Sequence, residues 1–463
     1  MFPNAVHDRA AHPFRSLIAA GVLSSLALAG QAHAVTNEEL AKKLEALEAQ
    51  NAALQVKVDK LEAAQAAQAS QASQAQPVGS AVAHEPAAAA TPSESAQSTT
   101  VSSYGEIGFT RPLKAADKTN VSVGRAVIFV GHQFDEATKM IGEFEWENAI
   151  TSGQDSGEAE VEQLYVEHQF QDGLRATAGL YLMPAGLVNQ NHEPTAYYGV
   201  FRPDVDTMII PSTWREVGLG LSGSTDIGVS WDAGVTTDQN LSKWDPASDE
   251  GLVRGPLQAI HQEGQFATAR DLAEHVAVNW RGPGMLLGAS AYTGNIGQHQ
   301  PGFLGNSSRL LLWEVHGRYE VQGWDLAAEY ARGTISNTEA LNTNFIENGP
   351  ANPTLVPSLF YGGYGQIAYR FAQGHYYRLT PFVRYEIFNT AAEFGALNSA
   401  LSGPAAAGQP DEKELTAGAS FFIGEGVVLK ADYRHYQVNQ YPSAIPFGFR
   451  KGNSVNFGLG YSF

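Results

Sequence analysis

The chain has 463 residues, a formal charge of −19 and no cysteine. The missing cysteines exclude disulfides, thiolate nucleophiles and Cys-based metal sites, and the acidic balance argues against nucleic acid as a partner. Beyond the N-terminal region no apolar run reaches the ~18 residues of a spanning helix, so a membrane role would require a closed barrel, the other architecture that satisfies its backbone in lipid.

Residues 1–34 read as a secretory signal. Arg9 and Arg15 form the basic flank, Leu17 to Gly30 the apolar stretch, and Ala32-His33-Ala34 a small-x-small cleavage site. The mature chain is therefore expected to be exported. Residues 35–69 carry a heptad. Leu40, Leu47, Leu54 and Leu61 fall at one seam position, and Leu44, Asn51 and Val58 at the other. Asn51 would set register at a cost in stability. The narrow seam predicts a parallel coiled coil of about 50 Å, placed in the periplasm. Residues 70–100 are Ala, Gln, Ser and Pro with few large apolar side chains, which is linker composition.

From 101 to 463 the texture changes to short alternating segments. About sixteen can be placed, beginning with 101–110, 122–134, 138–150, 159–170 and 174–183 and ending with 413–423, 426–437 and 452–463. The connections alternate long and short. Short ones include 171–173, 223–225, 321–322 and 424–425; long ones include 184–212, 237–272, 334–360 and 390–412. A sandwich has no reason for this asymmetry, whereas outer-membrane barrels keep short turns on the periplasmic side and long loops outside. The last segment alone fits either an ordinary edge strand or the terminal strand of a barrel, and the rest of the chain decides between them. Val455, Phe457, Leu459, Tyr461 and Phe463 share one parity, and Ser454, Asn456, Gly458, Gly460 and Ser462 share the other. Successive side chains of a strand point to opposite faces, so one face is apolar and aromatic and the other small and polar. The expected fold is all-β: a transmembrane antiparallel β-barrel of about sixteen strands, preceded by the coiled coil. Phe463 would address the barrel-assembly machinery, and the apolar band would meet outer-membrane lipid and lipopolysaccharide.

If the apolar parity faces lipid, the other parity lines the lumen. It carries Glu143, Glu145, Glu147 and Glu167, and the bases Arg175, Arg318, Arg370, Arg378, Arg384, Lys430 and Arg434. Glu314, Asp325, Glu329, Glu386 and Asp432 share that parity. Charges facing lipid at mid-bilayer would cost roughly 2–4 kcal/mol each. Acids concentrate in the third and fourth strands and bases in strands twelve to fifteen, a distribution that would set a field across a pore. The loop 184–212 holds Tyr197, Tyr198, Met208, Ile209 and Ile210, too apolar for a loop in water. Folded inward, it would bring Arg202, Asp204 and Asp206 to a constriction.

The strand Trp214-Arg215-Glu216-Val217-Gly218-Leu219-Gly220-Leu221 after the third long loop, the ending Gly460-Tyr461-Ser462-Phe463 and the overall architecture resemble Gram-negative porins, most of all the phosphate-selective porin O/P family. That resemblance implies trimers of sixteen-stranded barrels with inward-folded loops. The family's phosphate selectivity is attributed to basic ladders, and the many inward acids here depart from that pattern. The leading expectation is a water-filled channel for small hydrophilic solutes and ions with a weak cation preference. An anion- or phosphate-selective pore is the first alternative, and an envelope anchor acting through the coiled coil is the second. Neither H-E-x-x-H nor another catalytic constellation is legible, and no enzyme activity, cofactor or metal is expected.

Overall fold

A computed structural model describes residues 97–155, 157–373, 376–397, 408–438 and 452–463. The signal and coiled-coil expectations, and all but the last few residues of the linker, lie outside them. The described chain forms one antiparallel sheet closed on itself. Its strands are β1 (Ser98–Pro112), β2 (Asn120–Gln133), β3 (Thr138–Glu147), β4 (Ala159–Gln171), β5 (Leu174–Leu182), β6 (Arg215–Ser224), β7 (Val229–Thr236) and β8 (Ala273–Gly282). They continue as β9 (Met285–Gly294), β10 (Leu310–Val321), β11 (Trp324–Ile335) and β12 (Leu359–Tyr369, resuming after Arg370 as Phe371–Gln373). The last four are β13 (Tyr377–Glu393), β14 (Glu412–Ile423), β15 (Val427–Val438) and β16 (Ser454–Ser462). Each strand pairs with its sequence neighbours, and β1 closes on β16 from Tyr104↔Ser462 to Pro112↔Ser454. Two further bonds tie the carboxyl end to β1: Phe463 N donates to Ser103 O at 3.0 Å and Ser103 N to Phe463 O at 3.1 Å. Among the described residues every strand has a neighbour on both sides, the closure that lipid requires.

The apolar parity faces outward. Val121 and Leu219 are each 68% exposed, and Val276, Val278, Leu311, Val315, Leu415, Leu429, Phe457 and Leu459 are exposed beside them. Those faces would be costly in water and are at home in acyl chains. Next to the short turns stand Trp280, Tyr319, Trp324, Phe371, Tyr377 and Phe463, all exposed. This is the aromatic girdle of a membrane interface.

The inner parity is not uniformly polar. Toward the long-loop end, Tyr292, Leu310, Leu312, Phe360 and Phe388 turn inward and form a core with Met183, Val205, Ile209, Ile210 and Trp214 of the loop between β5 and β6. Trp244, Leu257 and Ile260 of the loop after β7 join it. The apolar residues in these loops are thus the counter-surface of apolar positions on the inner wall. Two bulges break the parity that simple alternation predicts. Glu106 pairs with Arg125 and Ile107 with Val123, leaving Gly124 unpaired. Glu143 pairs with Gln163 and Phe144 with Val161, leaving Glu162 unpaired. The extra residue shifts the pleat, so Arg125 and Glu162 point into the barrel and not into lipid.

Candidate functional site

The loop between β5 and β6 leaves and rejoins the wall through a clamped neck. Met183 N donates to Trp214 O at 2.9 Å. The Asn189 amide donates to Met183 O and Trp214 O, and its Oδ1 accepts from Trp214 N at 2.7 Å. From this neck the chain crosses the lumen and bonds to wall strands on several sides. Leu187 N donates to Glu329 Oε2 on β11 at 2.9 Å, and Tyr197 OH to Glu106 Oε2 on β1 at 2.8 Å. Tyr198 OH donates to Asp325 Oδ2 on β11 at 2.7 Å, and Val200 N to Asp432 Oδ2 on β15 at 2.6 Å. Gly199, with φ +88°, lies between those last two contacts. That left-handed conformation lets neighbouring residues reach different strands, and a side chain would be strained there. Past the short helix α1 (Val205–Met208), Ile209 and Ile210 sink into the core. Val205 N donates to Glu386 Oε2 on β13 at 3.2 Å, and Arg434 Nη1 donates to Asp204 Oδ1 at 3.3 Å.

The residues singled out from the sequence divide into local groups. Arg318 and Arg370 share Asp325, at 2.5 Å and 2.7 Å, and both approach Glu320. Arg384 Nε donates to Glu386 Oε1 at 2.6 Å, both residues being fully buried. Arg434 lies 3.3 Å from Glu414. Arg378 stacks over the Phe422 ring at 4.0 Å and Lys430 over the Tyr197 ring at 3.7 Å. Near the short-turn end, Glu167 pairs with Lys139 at 2.9 Å and with Arg175 at 3.8 Å. Glu143 and Glu145 are buried inside β3, with Glu147 half-buried toward the long-loop end. On the loop, Arg202 donates to Ser212 Oγ and Thr213 Oγ1 and so bonds within the loop, while Asp204 and Asp206 are buried against the wall.

Most bases of β10–β15 therefore have an acid beside them, which weakens any field across the lumen. The acids of β1, β3 and β4 meet fewer bases: Arg125 reaches Glu106 at 2.9 Å and Glu145 at 4.0 Å, and Arg215 reaches Glu160 at 2.6 Å. Five contributors were not legible beforehand: Tyr104, Glu106, Arg125, Glu162 and His192. Arg125 and Glu162 were hidden by the bulges, and His192 was one histidine in a long loop. A cavity of about 100 Å³ opens between the loop and the β1–β2–β16 wall, lined by Glu106, Thr110, Ser122, Phe201, Lys430 and Gly458 among others.

Asp206 couples loop seating to pH. Burial, and then the charge of Glu386, push its carboxyl up to about 7. The folded value exceeds the ordinary one near 4, so the stability from the neutral form is complete below about pH 4 and lost as pH rises through about 7. The wild-type thermal midpoint in detergent should fall relative to Asp206→Asn between pH 5 and pH 8, the two converging at the acid end. A constant offset across that range would count against this assignment.

No protein-family model matches the chain. An uncharacterized protein of Aquifex aeolicus (strain VF5) is 28% identical over 343 residues, spanning 72% of this chain and 74% of that protein. Among solved structures, OmpF of Salmonella typhi, determined as a complex with daunomycin, is 14% identical with a TM-score of 0.53, over 79% of this chain and 97% of OmpF. The outer membrane channel DcaP of Acinetobacter baumannii superposes more loosely, with a TM-score of 0.47 at 10% identity over 81% of this chain and 100% of DcaP. The likeness to OmpF reaches the fold alone, and the phosphate-selective porin O/P family is not shown. The described chain is a closed sixteen-stranded barrel with the fold of outer-membrane porins.

Proposed function

We propose that the protein is an outer-membrane porin through which small hydrophilic solutes and ions diffuse passively, with the loop 184–212 as its constriction. The observation that carries this reading is the path of that loop. It crosses the lumen of a closed barrel and bonds to β1, β11, β13 and β15, which is a device for narrowing a channel. The sequence-derived pore-lining residues belong to this reading, as do a homotrimer, contact with lipopolysaccharide and a periplasmic coiled coil. Selectivity follows from the charge groups. Bases matched by acids contribute little net field, and Glu167 is likewise matched by Lys139 and Arg175, whereas Glu143, Glu145 and Glu147 lie where acids outnumber bases. A weak cation preference results. The anion-selective alternative would need an unopposed basic ladder, and the ion pairs of Arg318, Arg370, Arg384 and Arg434 speak against one.

The test is single-channel recording in a planar bilayer under a salt gradient, with EDTA present throughout. The expected wild-type reversal potential has the sign of modest cation preference. The triple change Glu143→Gln, Glu145→Gln and Glu147→Gln should move it toward anions. A strongly anion-selective wild type, or current saturating at low phosphate, would overturn the selectivity, and a barrel that inserts without conducting would overturn the porin reading.

A further inference from the structure

Where the inward loop meets β3 and β4, four side chains from four separate segments converge on one point. Tyr104 OH lies 2.7 Å from Glu143 Oε1, 3.2 Å from Glu162 Oε2 and 2.7 Å from His192 Nε2. His192 Nε2 is itself 3.8 Å from Glu143 Oε1 and 3.7 Å from Glu162 Oε2. We propose that Glu143, Glu162 and His192, with Tyr104 beside them, form a binding site for one divalent transition-metal cation that fastens the loop to the barrel wall. This goes beyond the porin reading and stands whether or not the barrel conducts.

Three observations carry it. The first is spacing. One donor atom each from Glu143, Glu162 and His192 lie within 4.8 Å of one another. Ligand atoms that share an ion at about 2.0–2.2 Å stand roughly 3–4 Å apart, as the imidazole nitrogen does from both carboxylates.

The second is orientation. His192 Nδ1–H donates to Asn189 O at 2.9 Å, and Asn189 is held by the neck of the loop. In the neutral ring this leaves the Nε2 lone pair on the side of the Tyr104 hydroxyl, 2.7 Å away, and of the two carboxylates, 3.7 and 3.8 Å away, the arrangement in which a backbone carbonyl fixes a metal-ligating imidazole. Gln163 Nε2 donates to Glu143 Oε2 and holds that carboxylate from behind.

The third is an excess of buried negative charge. Glu143 is 3% exposed, Glu162 1% and His192 4%. One phenolic proton serves one of the three acceptors around Tyr104. The adjoining Glu145, 3% exposed, brings a carboxylate oxygen within 4.8 Å of oxygens on Glu160 and Glu162. Arg125 Nη1 stands 4.0 Å from its Oε2. Buried carboxylates left uncompensated are strongly unfavourable, and a cation supplies the missing positive charge. An imidazole and two carboxylates suit the borderline divalent ions of the first transition row. The rival account is a doubly protonated imidazole that donates Nε2–H to Tyr104.

The experiment uses the full-length protein in detergent, stripped with EDTA, with Co²⁺ alone as the probe. About one Co²⁺ per barrel should bind, with visible d–d absorption of a nitrogen–oxygen site, and the thermal midpoint should rise. His192→Ala should weaken binding more than about 100-fold, beyond the 10–100-fold typical of outer-shell changes. Glu162→Gln, nearly isosteric, should weaken it as well and decides the matter if His192→Ala does not fold. His299→Ala removes an exposed histidine paired with Asp271 on an outer loop and should leave the tight site intact. The proposal fails if folded wild-type protein binds Co²⁺ no better than His192→Ala, in which case the imidazolium account holds. It fails equally if His299→Ala removes the binding.

Discussion

Replacing Arg384 with alanine should destabilise the assembled barrel by about 3–5 kcal/mol, the cost of leaving half of a buried ion pair. Arg384 is fully buried and holds Glu386 at 2.6 Å. Its Nη1 also donates to Tyr198 O at 3.1 Å, while Glu386 Oε2 accepts from Val205 N at 3.2 Å. The pair therefore fastens two points of the inward loop as well as satisfying itself. Loss of the guanidinium strands a carboxylate beneath the loop, and the loop should loosen with it. Urea unfolding of the detergent-solubilised protein measures the first effect, and protease sensitivity near Tyr198 the second. Arg378→Ala is the comparison. That side chain is exposed and lies over Phe422 at 4.0 Å, a contact worth about 0.5–1 kcal/mol. The double change Arg384→Met and Glu386→Leu should regain much of the loss, because an apolar pair of similar volume avoids the stranded charge. Equal effects of Arg384→Ala and Arg378→Ala would show that the buried pair does not hold the loop.

Excising the inward loop should raise single-channel conductance severalfold. Met183 and Trp214 are bonded across the neck at 2.9 Å, so replacing residues 187–210 with a short Gly-Ser bridge closes the gap without pulling β5 from β6. The excision removes Tyr197, Tyr198 and Val200 from the lumen, with their bonds to Glu106, Asp325 and Asp432. It also removes Val205, Ile209 and Ile210 from the apolar core, so the thermal midpoint should fall. The ladder that closes β1 on β16 is untouched, and the barrel should still assemble. Conductance is the deciding readout. An assembled variant with wild-type conductance would mean that ions do not pass beside this loop, which would remove the constriction from the account of function.

Much of this architecture is written in local chemistry. Alternation in Val455 to Phe463 determines which face of the last strand is apolar, because successive strand side chains point to opposite sides. The same rule assigns Glu143 and Glu145, Arg384 and Glu386, and Lys430 and Asp432 to the inner face, where the structure has them buried. The length contrast between loop 184–212 and turns such as 171–173 determines which end of the barrel faces outward in an outer-membrane setting. The apolar stretch Met208-Ile209-Ile210 required a partner surface, and the inner wall provides it at Phe360 and Phe388. Three things were decided only by the tertiary structure. The bulges at Gly124 and Glu162 invert local parity, and a bulge is a property of two strands in register, which one strand's sequence does not contain. The neutralisation of bases in β10–β15 depends on which acid lies across a strand pair or on the loop, as Asp204 does for Arg434. The meeting of Tyr104, Glu143, Glu162 and His192 joins residues as far as 88 positions apart. Only closure of the sheet and inward folding of the loop bring them within hydrogen-bonding distance, because no periodicity within one element encodes contact between four.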